Sequence, residues 1–355
     1  MKKVITGLLY TGLFVVALTL AAYFMALNGL NELDQKARDN LGGLYLQTKQ
    51  GTLSYTLEGP VNAPAVVLVH GFSTPKFVWE QITPSLVKEG YQVITFDHLG
   101  RGFSDRPTGP YNADLYQSEI SALITGLALE TPLTLVGYSM GGANVIDYAA
   151  VYPEQIKQLI LIAPAGYMGD PGSAAWVAKP VIGEWFATVF GNQYAGDAIE
   201  SEIAKGLAPK AMYEKFKAQA AFKGYTGALL STLRHYPMHD LSHRYKIVGE
   251  AGIPVSAIWG TADQVVPYSG ASAMAADVPQ LRIEPIEGGN HNIAYAQAES
   301  VANKILAALQ ESTRMNNVES HISIQYFQHS YAEFILGSYN TVSYTHLTLP
   351  TIAKV

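Results

Sequence analysis

Leu133-Thr134-Leu135-Val136-Gly137-Tyr138-Ser139-Met140-Gly141-Gly142 is the stretch whose reading decides the fold. Leu133, Leu135 and Val136 form a short apolar run just after Pro132, the pattern of a strand buried on both faces. Gly137 to Gly141 then match G-x-S-x-G, and Ala143 to Ala150 read as a helix. Strand, tight turn and helix are the setting in which this motif holds a serine at the apex of a sharp turn, above a helix N-terminus. The two glycines let the backbone turn and let neighbouring elements approach without a Cβ in the way. Ser139 is therefore the candidate nucleophile.

Upstream, Leu44 to Thr48 and Leu53 to Leu57 alternate around Gln50-Gly51 as a hairpin would. Pro64 to Val69 is a continuous apolar run, hence a central strand, and it ends in His70-Gly71-Phe72-Ser73. Tyr91 to Phe96 is a second buried strand, running into the Gly-rich loop Asp97 to Ser104. Downstream, Ile156 to Ile162, Ile253 to Trp259 and Leu281 to Ile286 read as strands. Helices are predicted over Phe77 to Lys88, Leu115 to Leu129, Ala271 to Ala276 and Tyr295 to Leu309. Strands alternating with helices imply a mostly parallel sheet covered on both faces, with the chemistry at the carboxyl ends of the strands. His70-Gly71-Phe72, Ser139, Asp263 and His291 all fall at such ends.

A serine hydroxyl is a weak nucleophile until a base takes its proton. That base should titrate near neutrality, which is the property of histidine. A carboxylate must then hold the other ring nitrogen and stabilise the imidazolium. His291, in a Gly-Gly-Asn loop after a strand, and Asp263, just beyond Trp259-Gly260, can fill these roles. Asp170 is the rival acid, while Asp97, Asp147, His70 and His98 read as structural loop or core residues. A developing oxyanion needs backbone N–H donors, one after the nucleophile and one after the early strand, which points to Met140 and Phe72.

Taken in order, H-G-F at His70 to Phe72, D-x-x-G-x-G-x-S at Asp97 to Ser104, G-Y-S-M-G-G at Gly137 to Gly142, G-T-A-D-Q-V-V-P at Gly260 to Pro267 and G-G-N-H at Gly288 to His291 resemble the α/β-hydrolase superfamily. The resemblance covers about residues 44 to 309. One mild departure is Asn290, where many relatives carry a small residue or glycine. It implies an α/β-hydrolase fold and the chain order Ser139, Asp263, His291 for the catalytic triad. It also implies a helical lid inserted after the sixth strand. About 90 residues separate the strands ending at Ile162 and starting at Ile253, far more than a plain crossover needs. Helices are predicted there over Ala174 to Phe190, Ala198 to Lys205, Met212 to Phe222 and Ala228 to Leu233, rich in Trp, Phe and Tyr. An apolar roof over an acyl-transfer site implies an apolar portion in the substrate.

The expected activity is cleavage of short- to medium-chain carboxylic esters, monoacylglycerol or other lipid esters among them, through an acyl-enzyme. Other reactions that a serine triad serves on this fold, those of proline iminopeptidases, carbon–carbon bond hydrolases and perhydrolases, are the alternative. A non-catalytic membrane-tethered binding protein is the reading from another class, and it normally lacks a triad member. No cofactor is implied. His235, His239 and His243 recur every four residues, but Pro237 interrupts them and no metal site is expected. The net charge of −6, with scattered Lys and Arg, argues against a nucleic-acid partner.

Both ends stand apart from the domain. Met1-Lys2-Lys3 precede an uncharged apolar run from Val4 to Leu27, enough to span a bilayer. It exceeds the usual core of a cleaved signal and lacks a convincing cleavage site, so it is read as an anchor, with secretion the outcome if it is cut. The two lysines keep the N-terminus cytoplasmic and put the domain on the extracytoplasmic, periplasmic side. The expected organisation is an anchor or signal segment over 1–30, a linker over 31–41, the hydrolase domain over 42–311 with its lid at about 167–250, and a non-native or disordered tail over 312–355. Within that tail, Val342 to Thr351 resembles translated sequencing-adapter sequence, so His321, His329 and His346 are given no role.

Overall fold

The apolar runs become eight strands of one sheet in the computed structural model, which describes residues 2–169, 176–312 and 314. The strands are β1 (Leu44–Gln47), β2 (Thr52–Glu58), β3 (Ala65–Val69), β4 (Gln92–Phe96), β5 (Leu133–Tyr138), β6 (Ile156–Ile162), β7 (Val255–Gly260) and β8 (Arg282–Ile286). Their spatial order is β1-β2-β4-β3-β5-β6-β7-β8. The β1–β2 hairpin forms with Leu46 opposite Leu53, β2 runs antiparallel to β4, and every later pairing is parallel. This is the expected α/β-hydrolase sheet.

Topology explains where a site can form. From β3 the chain crosses to β4 on one side, then returns to place β5 on the other. The order therefore reverses between β3 and β5, and the loops leaving those two strands diverge to open a crevice. Val69 pairs with Gly137 and Tyr138 with Ile162, so the carboxyl ends of β3, β5 and β6 lie level. All six residues of β5 are buried. Burial on both faces is why this strand reads as apolar rather than alternating.

The helices are α1 (Lys2–Asn28), α2 (Gln35–Leu41), α3 (Thr83–Lys88), α4 (Ala113–Gly126), α5 (Met140–Val151), α6 (Ile182–Val189), α7 (Gly191–Ala204), α8 (Ala211–Ala220), α9 (Tyr225–His235), α10 (Ser242–Glu250), α11 (Gly270–Asp277) and α12 (Ile293–Ala296). Asn112 caps α4, its side chain accepting from the Leu115 N–H. Helices α6 to α10 fill the insertion between β6 and β7. The chain divides into two compact units, Met1–Leu306 and Ala307–Val355. Residues 298–306 close the first as a helix; of the second, 307–312 and 314 are helical.

Several expectations need correcting. The helix predicted over Phe77 to Lys88 is a 3-10 turn at Lys76–Trp79 followed by α3. Pro84 lies in the first turn of α3, where its missing N–H costs nothing but where no helix can run through it. Pro180 has the same effect in the insertion: Val181 takes a left-handed φ of 67° and α6 starts only at Ile182. Helix α10 has no strong apolar period in sequence; it is held by burial of Tyr245 and Val248. The predicted helix start at Ala174 and the tail beyond residue 314 lie outside the described residues. The 31–41 stretch folds back on the domain: the Asn31 N–H donates to the Ala221 carbonyl, and buried Arg38 pairs with Asp105.

Helix α5 lies close against β3. A Cβ at Gly141 would overlap the carbonyls of Val69 and His70. Gly141→Ala is therefore expected to lower folding stability by about 1–3 kcal/mol, the usual cost of overpacking, read from the urea unfolding midpoint.

Candidate active site

Ser139 joins β5 to α5 with φ 55° and ψ −121°, a conformation that L-residues avoid. Neighbouring backbone holds it there. Its N–H donates to the Ile162 carbonyl at 2.9 Å, and its own carbonyl accepts from Gly142 and Ala165 at 2.9 and 3.0 Å. A serine at this position normally caps its helix through the side chain. Here the hydroxyl makes no capping bond and is 2.9 Å from His291 Nε2 instead.

His291 reaches that position from the loop after β8, and its Nδ1 is 2.8 Å from Asp263 Oδ2. Asp263 follows β7, and its Oδ1 accepts from the Val265 and Val266 N–H groups at 2.8 and 2.9 Å. Its carboxylate is fully buried while the imidazole keeps some solvent access. A fixed carboxylate at Nδ1 orients the ring so that Nε2 accepts from the Ser139 hydroxyl. Residues 139, 263 and 291, far apart in the chain, form one hydrogen-bonded line. Asp170 lies outside the described residues.

Tyr138 supports the imidazole, a role sequence reading overlooked. Its ring stacks on His291 at 5.4 Å and 29°, and its hydroxyl donates to the His291 carbonyl at 3.1 Å. Burial, with the Asp263 charge adding to it, pushes the Tyr138 hydroxyl well above its ordinary pKa, so it remains a donor. Its place as the variable residue before the serine in G-x-S-x-G was the available signal.

On the other side of the hydroxyl, Gly71 packs so closely that a Cβ there would lie 3.1 Å from Ser139 Cβ. Phe72 is the next residue. Met140 is the first residue of α5, so its N–H has no acceptor within the helix. The Phe72 carbonyl accepts from Arg101 Nε at 3.0 Å, and Arg101 Nη2 donates to Thr232 Oγ1 on α9 at 2.7 Å. Arg101 is completely buried, with its guanidinium over the Phe72, Tyr111 and Tyr116 rings. It thus ties the loop after β3 to the insertion, a second role sequence reading missed.

Beneath this loop lies a buried polar layer. His70 Nδ1 donates to the Gly71 carbonyl at 2.8 Å and its Nε2 accepts from the His98 N–H at 2.9 Å, which fixes a neutral ring. His98 contacts Glu119 through Nδ1. Burial, reinforced by Arg101, drops the His98 pKa to about 3, and burial raises that of Glu119 well above normal. Both histidines therefore serve as uncharged scaffolding. Asp97 accepts from Lys76 Nζ at 2.6 Å, the Lys76 N–H at 2.9 Å and the Phe103 N–H at 3.0 Å. Arg244 Nε lies 2.9 Å from Asp147. His235 ends α9, His243 lies in α10 and His239 in the turn between, so the three imidazoles share no continuous helix.

A cleft of about 300 Å³ opens near Lys76, Phe77, Trp79, Phe103 and Lys215. None of Ser139, Asp263 or His291 lines it, so it is separate from their hydrogen-bonded line.

Residues 64–296 match the alpha/beta hydrolase fold family, and the chain belongs to that family. It is 28% identical to Lipase 3 of Moraxella sp. over 304 residues, 82% of this chain and 92% of the relative. It is 25% identical to the monoacylglycerol lipase ABHD6 of Homo sapiens over 281 residues, 74% of this chain and 80% of the relative. Among solved structures, a bromoperoxidase from Bacillus anthracis superposes with a TM-score of 0.66 at 21% identity, covering 76% of this chain and 100% of that one. That last likeness concerns the fold alone.

The Asp97 network has a pH signature. Burial raises the Asp97 pKa, but the Lys76 ammonium and the Phe103 N–H together outweigh it and bring it below the ordinary value. A carboxylate with a depressed folded pKa contributes stability that is present above its unfolded pKa and lost as pH falls through the folded one. Asp97→Asn is expected to cost about 3 kcal/mol at neutral pH. The difference from the unsubstituted protein, measured by urea unfolding, should shrink as pH falls below about 4.

Proposed function

We propose that the chain is a serine hydrolase that cleaves carboxylic esters through an acyl-enzyme. The observation that carries this reading is the unbroken line from Ser139 Oγ through His291 to Asp263, at 2.9 and 2.8 Å. Ser139 attacks the ester carbonyl while His291 Nε2 takes the hydroxyl proton. Asp263 stabilises the imidazolium, and the Phe72 and Met140 N–H groups receive the oxyanion. His291 then passes the proton to the leaving alcohol, and water, activated by the same imidazole, releases the acid. None of these steps draws on a cofactor.

Helices α6 to α10, within about residues 167–250, act as a lid in this reading, and their aromatic side chains favour an apolar acyl chain. The names of the two lipase relatives support a lipid ester, with monoacylglycerols the first class to try. Helix α1 anchors the domain: Lys3–Asn28 is long and apolar enough to cross a bilayer, with a mean hydropathy of 2.1. Lys2 and Lys3 favour a cytoplasmic N-terminus and an extracytoplasmic catalytic domain.

Ser139→Ala is expected to cut hydrolysis of nitrophenyl esters by about 10³-fold or more, and to abolish labelling by a fluorophosphonate probe. Wild-type turnover in this variant would overturn the assignment. Asp263→Asn should lower kcat by on the order of 10⁴-fold, because His291 is then held in the wrong tautomer. A panel of esters graded by acyl length, run beside prolyl amides, separates ester hydrolysis from peptidase activity.

A further inference from the structure

The anchor helix is not free along its whole length. Residues 3–18 are exposed throughout, whereas Thr19, Ala22, Tyr23, Ala26 and Leu27 are partly covered. That spacing of three and four marks one helix face packed against a neighbour. The neighbour is α6: Trp185 Nε1 donates to the Thr19 carbonyl at 3.0 Å. Beyond the helix, Asn31 is clamped by backbone hydrogen bonds to Ala221 and Lys223 at 2.8 and 2.9 Å. The domain therefore grips the chain from Thr19 onward.

The exposed part is too short for the bilayer. Residues 3–18 amount to sixteen residues, about 24 Å of helix. The hydrocarbon core is about 30 Å thick. With Lys2 and Lys3 held at one interface, the core ends near Tyr23 on the other side, within the gripped segment. Tilt shortens the projection and buries more of that segment. The part of the domain beside Thr19 must then lie below the headgroups by several Å, the depth at which interfacial amphipathic helices sit.

The side chains found there suit that depth. Val181 is 80% exposed, Ile182 58%, Trp176 46% and Phe190 42%. Val181 stands in the left-handed region that β-branched residues avoid. Glu184 of α6 is paired with Arg234, and Lys179, two residues before Val181, is exposed. We propose that α6 and the Trp176–Ile182 turn before it form a platform seated in the phospholipid leaflet beside α1. The idea rests on the reading of α1 as a membrane-spanning anchor. Lipid esters then enter the lid from the leaflet rather than from water. The platform also touches the site's own framework, since α6 packs on α9, which holds Arg101 through Thr232.

The chain has no cysteine, so single-cysteine variants of the full chain accept one label each. Val181→Cys, Leu13→Cys and Val61→Cys, carrying a nitrobenzoxadiazole fluorophore, are reconstituted into phosphatidylcholine vesicles. Labels at 181 and 13 should be quenched by nitroxides on the acyl chains and shielded from aqueous iodide, with the reverse at 61. Iodide access at 181 with lipid quenching at 13 overturns the platform and leaves the anchor standing. Iodide access at 13 overturns the anchor, and the platform falls with it. Independently, the double variant Val181→Asn with Ile182→Asn should keep its activity on soluble nitrophenyl acetate within about twofold. Its KM for monoacylglycerol held in vesicles should rise about tenfold. An unchanged KM in vesicles would also overturn the platform.

Discussion

The structure depends on one close approach, that of the turn after β5 to the backbone leaving β3. Gly141 lies where no side chain fits beneath the Val69 and His70 carbonyls, and a Cβ on Gly71 would crowd Ser139. Ser139 adopts its left-handed conformation because three backbone hydrogen bonds outside its own side chain enforce it. Strain of this kind persists only where surrounding structure over-determines the backbone. Its result is a hydroxyl released from helix capping and turned toward an imidazole.

The loops around that hydroxyl are held from two sides by the insertion. On one side, Arg101 joins the Phe72 carbonyl to Thr232, while Gln219 and Tyr225 donate to the Ser73 carbonyl. On the other, Asn292 donates to the Leu207 carbonyl and Tyr295 to Glu202. The helices between β6 and β7 are thus fastened to the loop after β3 and to the segment that follows His291. A movement of these helices would be felt at both. Hydrogen bonds to charged groups are among the stronger individual contacts, and both sides have one, through Arg101 and through Glu202.

Much of this was legible from residue order. The buried strands announced themselves as short apolar runs, because a strand covered on both faces has no polar side to show. Gly137, Ser139 and Gly141 marked the turn, because only a glycine tolerates that proximity. The insertion was visible as excess length. What escaped were features set by contacts across the chain. Tyr138 and Arg101 sit inside recognisable motifs, yet their partners His291 and Thr232 lie 153 and 131 residues away. Helix α10 was missed because its stability comes from burying Tyr245 and Val248, and not from its own period. The breaks at Pro84 and Pro180 were readable, since proline cannot continue a helix, but the apolar residues around them suggested continuity.

Local sequence, through apolar runs, glycine spacing and proline positions, determined the strands and most of the helices, and which residues offer a hydroxyl, an imidazole and a carboxylate at strand ends. These are short-range matters of backbone sterics and side-chain chemistry. Tertiary structure alone decided that the three groups meet at hydrogen-bonding distance, and which buried residues hold them. It also decided that α6 grips the apolar helix at Thr19. Each of these is a relation between segments far apart in the chain, set by packing that no local pattern encodes.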